Sequence, residues 1–164
     1  MIEVLKGGPE DYESVLSMAR VIWPHTYSKI LSAEQLDFMF EMMYSKNAYN
    51  EQLSLNNHHY LLAKEDNKFV GFASYEINYR PDTTKIHKLY VMPNTQGKGV
   101  GNVLVSKIED GAREHGNNVV TLNVNRYNPS VNFYLKTGFT KAGEEDINIG
   151  NGYLMEDYIM RKEI

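Results

Sequence analysis

The chain has 164 residues, 42% hydrophobic and 23% charged, with a formal net charge of −4 and no cysteine, which excludes disulfides, thiolate zinc centres and a catalytic thiol. It has no basic block of the kind a sequence-independent nucleic-acid binder needs, and no apolar run near the roughly 18 residues of a membrane-crossing helix. The opening MIEVLKGGPEDYES lacks the apolar core of a signal peptide, so one soluble, reduced, cytoplasmic domain over residues 1–164 is expected.

Residues 2–5 (IEVL) read as a short strand ended by Gly7-Gly8. Pro9 suits the first turn of a helix, and Tyr12, Val15, Leu16, Ala19 and Ile22 follow helical spacing. Pro24 is expected to stop that helix. Ser32 with Gln35 forms a capping-box pattern, and Leu36, Met39, Phe40 and Met43 then line one face. Residues 47–55 suit another short helix. HYLLAKE (59–65) and KFVGFASYEI (68–77) flank Asp66-Asn67, a tight hairpin signal. TKIHKLYVM (84–92) is a third strand, closed by Pro93.

The stretch NTQGKGVGNVL (94–104) leads into a helix over about 99–115, with Gly116 in its favoured C-terminal place. VVTLNVN (119–125) is a strand. Asn128-Pro129 opens a short helix that reaches Lys136 and stops at Gly138. Two last strands, about 139–147 and 153–161, flank Gly150-Asn151-Gly152. With no repeat and no linker, the order predicts an α+β fold on a mixed sheet.

A strand, a glycine-rich turn and a helix start make an anion site: glycine lets several N–H groups converge, and the helix N-terminus adds positive potential. Lys98 adds a formal charge, so the loop suits a phosphate or diphosphate. A Walker loop is absent, and Gly97-Lys98-Gly99-Val100-Gly101 is one residue too short for the dinucleotide fingerprint. A loop that merely needs positive φ is the plainer alternative.

Gln96, Gly99 and Gly101 fit Q/R-x-x-G-x-G/A, which resembles the pyrophosphate loop of the Gcn5-related N-acetyltransferases (GNAT). NPSVNFYLKTGF (128–139) resembles that family's N-P-A-x-x-F-Y-x-x-x-G-F, and LYVMP (89–93) its L-Y-V-x-P. The likeness is strong over about 69–140. It implies a single N-acetyltransferase domain over 1–164, with a mostly antiparallel mixed sheet of six to seven strands splayed at the acyl-CoA site. It also implies acetyl-CoA as cosubstrate, no metal, and direct acetyl transfer to a primary amine.

Carried over residue by residue, the resemblance assigns the coenzyme to Leu89, Tyr90, Val91, Gln96, Gly97, Lys98, Gly99, Val100, Gly101, Asn102, Asn128 and Tyr134. Tyr134 is the implied acid: a phenol with a reference pKa near 10 holds its proton at neutral pH and can give it to a leaving thiolate. A backbone N–H around Tyr90–Met92 is the implied oxyanion donor. Asn123 and Asn125 are further candidates, although strand-end hydrogen bonding accounts for each as well.

The base is less defined. The glutamate that many relatives carry on the strand entering the loop aligns with Lys85. His87, two residues on, is the candidate on its ordinary pKa, and strand alternation puts it on one face with Lys85, Leu89 and Val91. A water chain, Glu156 or Asp157 are the alternatives. The pair His58-His59 is not expected to bind metal, because neighbours on a strand diverge and no third ligand stands at metal spacing.

Residues 23–45 and 148–160 resemble, more loosely, bacterial diamine and polyamine acetyltransferases. There Trp23, Tyr27, Tyr153 and Glu156 are the candidate acceptor contacts, aromatic rings and a carboxylate suited to a cationic amine. Protein N-terminal or lysine amines remain open acceptors, and a homodimer is an open expectation because relatives occur as monomers and dimers. The rival from another class is a coenzyme-A-binding sensor without turnover; a nucleotide-binding protein ranks last.

Overall fold

A computed structural model describes residues 1–164. Seven strands form one sheet: β1 (Ile2–Gly7), β2 (His58–Glu65), β3 (Lys68–Arg80), β4 (Thr83–Val91), β5 (Val119–Asn125), β6 (Thr140–Gly150) and β7 (Tyr153–Glu163). The helices are α1 (Tyr12–Tyr27), α2 (Ala33–Tyr44), α3 (Lys46–Ser54), α4 (Val100–Glu114) and α5 (Ser130–Lys136). The strand order is β1-β2-β3-β4-β5-β7-β6. Every neighbouring pair is antiparallel except β4 and β5, which makes the expected mixed sheet.

Local chemistry explains the joints. Asp66 and Asn67 both take positive φ, 51° and 64°, the double left-handed geometry of a two-residue hairpin. Ser32 Oγ accepts from the Gln35 N–H at 3.1 Å, as a cap should. The Gln35 side chain does not close the box; its Nε2 donates to the Leu154 carbonyl at 2.8 Å and ties α2 to β7.

Pro24 does not stop α1, contrary to expectation. The helix runs on to Tyr27, and the Ser28 N–H still reaches the Pro24 carbonyl at 3.0 Å. Proline forfeits one helical hydrogen bond, but Ile22, Trp23 and Tyr27 are all buried, and their packing holds the last turn in place.

Helices cover both faces of the sheet. On one, Leu104, Ile108 and Ala112 of α4 pack on Ala73, Ile86, Val120 and Leu122. On the other, Trp23, Met39, Tyr44 and Tyr49 from α1, α2 and α3 pack on Tyr60, Leu62 and Phe72. Leu104 and Ile108 are fully buried, so truncating either to alanine costs about 2–5 kcal/mol.

Two irregularities shape the centre. β4 and β5 pair only where Thr83–Ile86 face Val119–Leu122; past that point they part from each other, β4 staying paired with β3 and β5 with β7. In addition, Ser74 sits opposite Lys88 while Tyr75 sits opposite Ile86, which leaves His87 as an extra residue. Such a bulge shifts the side-chain phase. Leu89 and Val91 therefore pack toward α4, whereas His87 stacks on His58, in line with Tyr60 and Leu62 on the opposite face. The expectation that His87 shares a face with Leu89 and Val91 is corrected by that one inserted residue.

Candidate active site

The loop after β4 delivers what its glycines promised. Gly97 and Gly99 take φ of 82° and 87°, and a Cβ at either would meet nothing within 4 Å. The constraint is backbone conformation together with open approach. The first amide of α4 to find a helical partner is Val103, which bonds the Gly99 carbonyl at 3.1 Å. The N–H groups of Val100, Gly101 and Asn102 precede it and have no intrahelical acceptor. Gly101 is needed for another reason: a Cβ there would come 3.0 Å from the Phe133 ring, where α4 crosses α5.

These amides open onto a cavity of about 360 Å³ walled by Leu89, Tyr90, Val91, Gln96, Gly97, Gly99, Val100, Gly101, Asn102 and Tyr134. Lys98 stands outside that wall and is exposed. The Met92 N–H donates to the Val70 carbonyl on β3 at 2.8 Å. By two-residue alternation, the Val91 backbone then faces the gap where β5 has diverged. Gln96 Nε2 donates to the Val91 carbonyl at 3.2 Å, pinning the loop to that edge.

A second cavity, about 220 Å³, lies on the other side of the gap. Trp23, Tyr27, Met39 and Met43 form its apolar wall, and Lys85, His87, Lys88, Asn123, Asn125, Asn128 and Asp157 its polar one. Asn128 thus faces this cavity and not the glycine loop; the helix starts one residue later than expected, with Pro129 at its cap, and Asn128 Oδ1 accepts from the Ser130 N–H at 2.9 Å in an Asx turn ahead of it. Leu89, Tyr90, Ser130 and Tyr134 line both cavities.

Tyr134 therefore sits at the junction. It is buried, with Phe133 and Phe139 rings 5.3 Å and 5.6 Å away. Burial, and then Tyr27, push its phenol well above the ordinary value. Tyr27 in turn shares a 3.0 Å hydrogen bond between hydroxyls with Tyr90, and Trp23 Nε1 donates to the Tyr44 hydroxyl at 3.0 Å.

Two buried charges stand out on the second cavity's wall. Lys88 donates to Gln52 Oε1 and to the Tyr60 hydroxyl, both at 2.8 Å, and burial pulls its pKa down to about 7. Asp157 is only 3% exposed. Burial raises its pKa against a 3.3 Å hydrogen bond from Asn123 Nδ2.

His87 lines the same cavity, but burial and then the Lys85 and Lys88 ammonium groups pull its pKa down to about 3. The near-neutral pKa that recommended it as the base is absent. Glu156 and Tyr153 stand apart, in an outer hollow that shares Leu31, Gln35, Asn125 and Leu154 with the inner cavity. Adjacent strand residues point to opposite faces, so the inward carboxylate is Asp157, which the sequence offered beside Glu156 both as an alternative base and as an acceptor-site carboxylate. Ser130, Lys88 and the cavity-facing role of Met39 and Met43 carry no sequence signal of their own.

His58 and His59 diverge as alternation requires, His58 onto His87 and His59 onto Tyr75. Across the sheet, His58, Glu76 and His87 bring side-chain nitrogen and oxygen atoms within 4.8 Å of one another.

Residues 18–139 match the model of the acetyltransferase (GNAT) family. The chain belongs to that family. It is 28% identical over 160 residues to a spermidine N(1)-acetyltransferase of Thermoplasma acidophilum, covering 94% of this chain and 96% of that one. The crystal structure of an N-acetyltransferase from the same organism, in complex with coenzyme A, superposes with a TM-score of 0.82 at 28% identity, over 100% of this chain and 99% of that one. An L-amino acid N-acyltransferase of Escherichia coli is 31% identical over 101 residues, 59% of each chain. In this chain the sheet parts between β4 and β5, where the two cavities meet.

Proposed function

We propose that this GNAT chain, as one catalytic unit over residues 1–164, moves the acetyl group of acetyl-CoA to a primary amine of a small molecule by direct attack. The observation that carries the reading is Tyr134 at the one place where the glycine-loop cavity and the second cavity share a wall. The loop geometry fits a diphosphate: the free amides of Val100, Gly101 and Asn102 bind its oxygens, assisted by the helix dipole. The gap-facing edge of β4 hydrogen-bonds the pantetheine arm like an added strand. The Val91 amide polarises the thioester carbonyl.

The amine attacks in its neutral form; Asp157 holds it in the second cavity, takes the proton that the nitrogen sheds as it attacks, and releases that proton to solvent. The C–N bond forms, the C–S bond breaks, and Tyr134 gives its proton to the departing sulfur. The phenol regains a proton from solvent before the next turnover. His87, held near 3, takes no part in that transfer.

For the acceptor, a polyamine is the reading best supported. The named activity of the Thermoplasma relative points that way, and Asp157 and Glu156 offer carboxylates to the inner cavity and the outer hollow in turn. Trp23, Tyr27 and Tyr153 add ring faces that suit cationic nitrogens.

The test is thiol release from acetyl-CoA against a panel of polyamines, amino acids and N-terminal peptides. Fastest release with polyamines, abolished in Tyr134→Phe, supports the proposal. Release confined to amino acids or peptides overturns the acceptor assignment. Coenzyme A binding without release across the panel favours a sensor module instead.

A further inference from the structure

We propose that His58, Glu76 and His87 form a binding site for a zinc-like divalent ion at the rim of the acceptor cavity. Two imidazoles and a carboxylate are a donor set such ions favour. Their ligand atoms already lie within 4.8 Å of one another, against about 3.4 Å between donors on one tetrahedral zinc at the usual bond lengths. His87 Nε2 and Glu76 Oε1 are closer than that, at 2.9 Å. The remaining adjustment belongs to His58.

His58 has reason to move. Its ring lies face to face with His87, centroids 3.9 Å apart and planes 11° from parallel. In that pose the two lone pairs run side by side and do not converge, so metal binding has to turn one ring. The Nδ1 of His58 is buried and has no hydrogen-bond partner, an uncompensated cost in the folded state. Turning His58 onto an ion sacrifices no hydrogen bond at that atom and relieves the cost. Neutral imidazole is the form that ligates.

Lys85 and Lys88 are the opposing charges. The Lys85 ammonium lies over the Tyr79 ring, 4.6 Å from its centre, and that of Lys88 is committed to Gln52 and Tyr60. They lower the affinity without occupying the site. Because His87 also lines the acceptor cavity, an ion here changes that wall and slows amine acetylation; this half of the inference rests on the acetyltransferase reading, and the binding half does not.

The full-length protein, freed of metal with a chelator, is titrated with Zn²⁺ by calorimetry and with Co²⁺ by visible absorption. One ion per chain is expected, with a Co²⁺ d–d band and affinity at least about tenfold weaker in His58→Ala and in Glu76→Gln. His59→Ala, on the opposite face, should bind as the parent does. Zn²⁺ should slow thiol release by the parent and do so less in His58→Ala. Absence of saturable binding overturns the site, and so does binding that both variants retain or that His59→Ala loses. If His58→Ala fails to fold, Glu76→Gln and the Co²⁺ band decide alone.

Discussion

The two cavities that meet at Tyr134 are built by different means. The glycine-loop side is made of backbone: turned amides, a helix start and positive φ angles that glycine takes without strain, with side chains kept out of the way. The acceptor side is made of side chains brought from α1, α2, β4, β5 and β7, with one buried carboxylate among methionines and aromatic rings. The first is a local device that six residues can encode. The second exists only after folding, and each wall residue owes its place to a different element.

The contrast predicts which substrate each substitution should affect. Tyr134→Phe removes the group common to both sides, and kcat should fall about 10²–10⁴-fold while the affinity for acetyl-CoA stays near the parent value. Retention of full kcat would break the junction argument. Asp157→Asn should act on the acceptor side alone. We expect kcat/KM for the amine to fall about 10–100-fold, the worth of one charge-assisted hydrogen bond, with coenzyme A binding unchanged by calorimetry.

Asp157 also links the site to stability. Its pKa is raised in the fold above the ordinary 3.8, so the folded chain binds its proton more tightly than the unfolded chain does. Its ionised form therefore costs stability above the raised pKa, and the cost disappears as pH falls below the ordinary value. Asp157→Asn should raise Tm at pH 7, by no more than about 4 °C, and match the parent at acid pH in paired thermal melts.

On the other side, Gly99→Ala should weaken coenzyme A binding about tenfold, because an L-residue at φ 87° costs about 1–2 kcal/mol. Amine KM should not change. The smallest effect belongs to Lys98→Ala. With an exposed side chain off the cavity wall, it should shift coenzyme A affinity by less than about fivefold, the range of a surface ion pair. A larger loss would show that charge, and not backbone, dominates the loop.

Legibility in the sequence divides along the same line. The element order, the Asp66-Asn67 hairpin and the glycine loop were readable because each is set by residues adjacent in the chain. The acceptor wall was not. Whether Glu156 or Asp157 points inward is a question of strand parity, and nothing in NGYLMEDYIM fixes it without the neighbouring strands. The phase of β4 was misread for a related reason: one extra residue at His87 reverses every later side chain, and a bulge leaves no compositional mark. His58, Glu76 and His87 meet across three strands, at separations no spacing rule searches. Pro24 misled because the penalty of proline is local while the packing that overrides it is not.

The short parallel pairing of β4 with β5 has one more consequence. Four residue pairs join strands β1–β4 to strands β5–β7, whereas the neighbouring antiparallel ladders run longer. The sheet is thus weakly joined along its middle, and on the proposed reading a carrier arm lying in that gap supplies rungs that the protein omits. On that reading, loading the protein and stitching its two halves together are one thermodynamic event, so its resistance to heat rises with the concentration of thioester around it.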